Sequence, residues 1–360
     1  MKGEVVYLYA FDVANEIIPA KVRDILGKKP VPFEVQVDRA YPRDIPLYRP
    51  LSVEPAPLAS KLLGQEVRVF VRVYDVGVVA ISMRVAFTCM SLPDLLSFHN
   101  PHLENGQSLD EVSRAMCLEV YQGLQGSMVR SSSPTEPEAY TTFCVTDLGG
   151  DVRDVNQWLT EQRRAVAGLL AETDPARLSE EQVNESLRLR RSYESTDLVV
   201  IDWDAALAVD LSGYVDDVIY ILELANVQLE ELRMMDQTLD RFLNRAYDDL
   251  ERRPFSLWGR ANKVLDALRW FRVDFTKLAD EVTHIMKFLG DWYLARVYLA
   301  ARERFYLDQW RTSVDQRLAQ LDRLYSTTHA EINERRMLWL EIIVVVFFAI
   351  DLLAIFFLKK

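Results

Sequence analysis

Asp202-Trp203-Asp204 is the grouping in this chain best suited to chemistry. Carboxylates two apart on a strand face the same way, and with Asp210, or with Asp216 and Asp217, they are candidate ligands for Mg²⁺ and hence for metal-dependent phosphoryl transfer. The competing reading is structural: these acids close a strand before a helix whose first turn favours negative charge. A second grouping is basic. Arg163 and Arg164, with Arg188, Arg190 and Arg191, make a candidate patch for an anionic partner, with Trp158 or Tyr193 available to stack a base. Such arginines also serve as the solvated face of a helix.

Other chemistries lack their residues. Ser127 is not framed by the glycines of a nucleophile turn, and Gly149-Gly150 is not followed by the Lys-Ser/Thr of a phosphate loop. His99 and His102 form a lone HxxH with no partner ligand nearby, and Cys89, Cys117 and Cys144 have no CxxC spacing. Three thiols fit a reducing compartment better than a disulfide framework. No cofactor and no enzymatic activity are expected. The formal charge of −12, from 42 basic and 54 acidic residues, disfavours nucleic acid except at a local patch.

The elements that must position these residues divide the chain in three. Residues 1–205 read as an α+β domain. Its strands are expected at Val5–Tyr9, Phe33–Val37, Val67–Tyr74, Val78–Phe87, Tyr140–Thr146 and Leu198–Trp203, its helices at Leu109–Leu124 and Val155–Leu170. Asp75-Val76-Gly77 is the turn of a hairpin, where glycine supplies a positive φ. Residues 206–336 read as a helical stalk, a hairpin broken at Pro254. Val314, Leu318, Leu321, Tyr325, Thr328 and Ile332 form a short coiled-coil seam, which packs either on the same chain or on a second copy.

Residues 337–358 are apolar on all faces and are expected to be one C-terminal transmembrane helix, a tail anchor in a bilayer core of about 30 Å. Met1 to Phe11 lacks the basic leader and cleavage site of a signal peptide, so the soluble part is expected in the cytoplasm. Glu341 and Asp351 lie about 80° apart around that helix and are expected as polar contacts within the membrane, promoting homo-oligomers.

Three stretches together resemble the family of proteins required for meiotic nuclear division. They are Tyr74, Asp75 and Gly77 in the hairpin, then Asn226, Gln228, Glu231 and Arg233 with Asp236 and Asp240. The third is Gln316 and Arg317 with Asn333, Glu341 and Asp351. For the mitochondrial members, the resemblance implies inner-membrane anchoring, homo-oligomers and support of translation through ribosome contact, and no enzymatic activity. For a bacterial-type member such as this chain, the expectation is a non-catalytic scaffold in the bacterial inner membrane (mitochondrial inner membrane if organellar) with an unidentified protein partner, and the translation role is an extrapolation. The rival readings are the Asp202/Asp204 metal enzyme and an anionic-ligand or RNA-binding module in the α+β domain.

Overall fold

The computed structural model describes residues 1–33, 50–150, 152–252, 271–273, 275–276 and 292–358, with some side chains in the last turns of the long helices left out. The expected strand from Phe33 to Val37, beyond Phe33 itself, and the hairpin break at Pro254 lie outside the described residues. Two compact units emerge. The first takes Met1–Met234 with Leu278–Trp310, the second Met235–Lys277 with Arg311–Lys360.

The first unit is a mixed α/β structure on a nine-stranded sheet. In chain order the strands are β1 (Lys2–Asp12), β2 (Ala14–Ile17), β3 (Val31–Pro32), β4 (Leu51–Val53), β5 (Val67–Val73), β6 (Val78–Thr88), β7 (Met128–Ser131) and β8 (Glu138–Asp147). After them come β9 (Arg190–Arg191), β10 (Asp197–Ile201) and β11 (Ala205–Asp210). The large sheet runs β3-β4-β5-β6-β1-β8-β11-β10-β9, and β2 pairs with β7 in a separate ribbon. All neighbours in the large sheet are antiparallel except β8 and β11. A parallel pair needs a long crossover, and that connection carries helices α2 and α3 introduced below.

Both helices expected at Leu109–Leu124 (α1) and Val155–Leu170 (α2) form over those residues. Ser108 caps α1 in a reciprocal box with Glu111, and Asp154 caps α2 through the amides of Asn156 and Gln157. α3 (Glu180–Ser186) is short and capped by Ser179. One sheet face is sealed by an apolar core that takes Val5, Tyr7, Tyr9 and Phe11 from β1 together with Val155, Leu159 and Val166 from α2. Side chains alternate along a strand, so Val6, Leu8, Ala10 and Asp12 point to the other face. On that second face lie the turns of α4 (Asp216–Arg252) up to Met234, and α5 (Trp292–Arg304) packs on β9 and β10.

The α4 seam is polar and buried. Arg72 on β5 is ion-paired with Glu223, whose other oxygen accepts from the Tyr74 hydroxyl at 2.7 Å. Arg84 on β6 donates to Asp216 at 2.6 Å and to Glu4 at 3.2 Å. The Asn226 amide donates to the Glu138 carbonyl at 3.0 Å, Arg233 pairs with the Glu138 carboxylate, and Tyr298 on α5 donates to Gln228 at 2.6 Å. Asn226 and Arg233 thus share one helix face and Gln228 another, each side answered by a different neighbour.

Gly77 closes the β5–β6 hairpin at φ +96° and receives the segment after β1: Val13 N and Ala14 N donate to its carbonyl at 2.9 and 3.2 Å. A Cβ there would collide with the Ala14 carbonyl. Gly77→Ala therefore combines a left-handed backbone penalty with a backbone clash. A loss of at least about 2 kcal/mol is expected in urea unfolding, and Gly77→Ala as stable as the native chain would contradict this packing.

In the second unit α6 (Leu307–Leu358) and the later turns of α4 are joined by ion pairs. Arg317 meets Asp236 at 3.0 Å and Asp240 at 2.6 Å, and Ser313 donates to Asp236 at 3.0 Å. Val314, Leu318 and Leu321 are buried within the chain, whereas the side chains of Tyr325, Thr328 and Ile332 lie outside the described residues. Gln316 is exposed.

The C-terminal expectation is corrected. Among the described residues no helix is long and apolar enough to cross a membrane. Of the expected span, side chains are described only for Met337 to Ile350, all exposed, Glu341 included; Asp351 and its successors lie outside. The transmembrane helix, the tail anchor and the single-pass membrane localisation are withdrawn on this finding, and with them the fold reading of a soluble body on a bilayer anchor.

Candidate functional site

The described part of the first unit contains a cleft of about 620 Å³ between α2, α3 and β9. Asn156, Thr160 and Arg163 recur at four and three residues along α2 and so share its outer stripe. Asn184 and Arg188 come from α3 and the turn after it, and Arg190 from the edge strand. Its floor is apolar, from Leu159 and Leu187.

The charges are unequally committed. Arg163 donates to Glu180 at 2.6 Å and to Asn184 at 2.7 Å. Arg188 pairs with Glu185 at 3.1 Å and with Glu303 on α5; the Glu303 contact foremost holds its guanidinium above the ordinary range. Hydrogen bonds from Arg163 and Arg164 pull the Glu180 carboxyl below its usual range. Arg190 has no ion pair and no side-chain hydrogen bond among the described residues. The cleft therefore pairs one uncommitted guanidinium with two whose partners are exposed and exchangeable.

Arg304 fixes this geometry from below. It is buried, donates to the Glu185 carbonyl at 2.7 Å and carboxylate at 2.9 Å, and stands 3.4 Å from Asp202. It thereby ties α5 to the residue that holds Arg188.

Of the five arginines singled out by sequence, three line the cleft. Arg164 turns inward to the carbonyls of Pro175 and Leu178 and to Glu180, and Arg191 donates to the Arg190 carbonyl at 2.8 Å. The aromatic residues go elsewhere: Trp158 packs against the core, and Tyr193 meets Tyr293 of α5 in a tilted ring pair with centroids 5.9 Å apart. Asn156, Thr160 and Asn184 were missed by sequence reading; the α2 periodicity that places Arg163 also places the first two.

The acidic candidates are not brought together. Asp202 and Asp204 sit in the β10–β11 turn, closed by Asp202 N donating to the Ala205 carbonyl, so strand alternation does not apply to them. Asp202 caps its own turn and faces Arg304; Asp204 is exposed, its carboxyl raised by partial burial and then by Glu172 and Asp202. Asp210 accepts from Ser212 N at 2.7 Å, and Asp216 serves Arg84. Among the described residues no group of three or more His, Cys, Asp or Glu side chains is placed to hold a metal. His99 contacts the Leu169 carbonyl at 2.6 Å and Glu172 at 3.0 Å, His102 the Asn100 carbonyl, and Ser127 donates to the Leu124 carbonyl. The three cysteines are free thiols, and burial pushes Cys117 up to about 12.

Residues 2–215 match the family model described as "Uncharacterized protein MJ0711, N-terminal domain". The chain belongs to that family. The match takes in the whole nine-stranded sheet and the cleft, and stops at the start of α4. The chain is similar to "Uncharacterized protein MJ0711" of Methanocaldococcus jannaschii, 24% identical over 206 residues. That alignment covers 57% of this chain and 61% of the relative. No solved structure matches. Nothing in these matches links the chain to the proteins required for meiotic nuclear division.

Proposed function

We propose that the α/β unit is a recognition module that binds an anionic group, of the size of a phosphate or diphosphate, in the cleft between α2, α3 and β9. The observation that carries this reading is Arg190, an uncommitted guanidinium lining a cleft beside Arg163 and Arg188. Arginine is suited to this task because its planar fork meets phosphate oxygens in two parallel hydrogen bonds. Asn156, Thr160 and Asn184 add neutral donors at the same wall, and a volume of about 620 Å³ falls within the usual span of small-ligand sites, about 300–1,000 Å³.

The ligand is held by side chains, since the sequence has no glycine-rich phosphate loop. With most of the arginine charge already shared with Glu180, Glu185 and Glu303, the cleft suits a small anion better than a long polyanion. A strand of RNA would need several uncommitted cations along a track and aromatic platforms beside them, and Tyr193 is engaged on α5. The scaffold role fits this module as the part that recognises a partner's anionic group. The phosphoryl-transfer reading has less support, because Asp202 faces Arg304, Asp210 serves a turn and Asp216 serves Arg84.

Inorganic pyrophosphate is the simplest probe. It is expected to raise the melting temperature of the native chain, and Arg190→Ala to weaken binding roughly tenfold to a hundredfold, the worth of one charge-assisted contact of about 1.5–3 kcal/mol. An equal shift in the native chain and Arg190→Ala would remove the cleft from the reading.

A further inference from the structure

We propose that Asp12, Asn226 and Glu230 form a binding site for a hard divalent cation that clamps α4 to the second face of the sheet. The site is separate from the arginine cleft and does not depend on it. Glu230 is fully buried, and neither of its carboxylate oxygens has a hydrogen-bond partner. The Asp12 backbone amide lies beside that carboxylate without reaching standard hydrogen-bond geometry, which places the end of β1 against it.

Asn226 stands one helical turn before Glu230 on the same face of α4. Its amide nitrogen donates to the Glu138 carbonyl, and Glu138 is the cross-strand neighbour of Ala10, two positions before Asp12 on the same face of β1. With the nitrogen so committed, the Asn226 carbonyl oxygen is left buried and without a partner. Ser132 is the hydrogen-bond partner of the Asp12 carboxylate.

What converges is a set of oxygen acceptors from two carboxyl groups and one amide, and among the described residues neither carboxyl group has an ion pair. The nearest arginine along α4, Arg233, is spent on the Glu138 carboxylate. Burying an unpaired carboxylate is among the costlier features a fold can carry, and a second carboxylate beside it adds repulsion. A divalent ion removes both costs. Two carboxylates match its charge, and the Asn226 carbonyl and both Glu230 oxygens supply further ligands of the kind Ca²⁺ and Mg²⁺ take. The absence of nitrogen and sulfur in the set argues against Zn²⁺ or copper. The set has only two acidic side chains and is completed by an amide, so it differs from the His, Cys, Asp and Glu clusters that the described residues lack.

The test uses the full chain stripped with EDTA and returned to chelator-free buffer. CaCl₂, MgCl₂ and MnCl₂ are then titrated calorimetrically and by thermal melting, with NaCl at matched ionic strength as the control. One equivalent of a divalent ion should bind and raise the melting temperature. Glu230→Gln, which keeps the side-chain shape and removes a charge, should weaken binding at least about tenfold, and Asp12→Asn likewise. Circular dichroism of both variants verifies folding before titration. No divalent-specific shift in the native chain, or an undiminished shift in both variants, overturns the proposal.

Discussion

Arg72→Met is expected to lower the stability of the first unit by about 3–5 kcal/mol in urea unfolding, the largest effect of any single substitution considered. The substitution leaves Glu223, 2% exposed, without its cation, and a buried carboxylate stripped of its partner is worse than no carboxylate at all. Burial works against the Arg72 charge, and Glu223, with Tyr74 and Tyr220, more than restores it. Its guanidinium also lies 3.9 Å from the Phe33 ring centroid, so packing is lost along with the charge. The double variant Arg72→Met, Glu223→Leu should recover most of the loss, because an apolar pair of similar volume replaces a pair that was costly to desolvate. The part not recovered is set by the buried Tyr74 hydroxyl, which loses its Glu223 acceptor, and a double variant as unstable as the single one would contradict the account.

Glu230→Gln is the second large effect, and it depends on pH. In cation-free protein, burial first and Asp12 second raise the Glu230 carboxyl from 4.5 to about 8; burial raises Asp12 from 3.8 to about 7, with Ser132 opposing. The folded state then holds protons that the unfolded chain releases near pH 4. Stability from these groups is fully present below about pH 4, falls as pH rises, and levels off above about pH 8. Glu230→Gln removes about half of that slope, the rest belonging to Asp12, so it should be stabilising at pH 8.5 by up to about 3 kcal/mol and nearly neutral at pH 4. Melting curves across that range check it. A native chain whose stability is flat from pH 4 to 8.5 after chelation would contradict the burial of this pair, and saturating divalent ion should itself flatten the native profile.

What sequence made legible was local. α1 and α2 were readable to the residue because each begins with a side chain that caps it, Ser108 with Glu111 and Asp154, ahead of a 3.6-residue apolar period. The β5–β6 hairpin was readable from its alternation and from Gly77. β11 was not, since Ala205–Asp210 is alanine-rich with weak strand preference, and it is placed by parallel pairing with β8 in the middle of the sheet. The arginine cleft was half legible: the period of α2 separates Arg163 from Arg164 by about 100°, which sends one to the cleft and the other to the carbonyls of Pro175 and Leu178. The misreading of Asp202 and Asp204 came from extending strand alternation into a turn. Asp12 and Glu230 were invisible because nothing local in either stretch signals that β1 and α4 meet.

Isothermal titration of pyrophosphate into the native chain and Arg190→Ala, at low ionic strength and side by side, tests the central claim most directly. Saturable one-site binding to the native chain, weakened roughly tenfold or more by Arg190→Ala, is the result expected of an anion-recognition cleft. Equal affinities, or no heat of binding in the native chain, would contradict it.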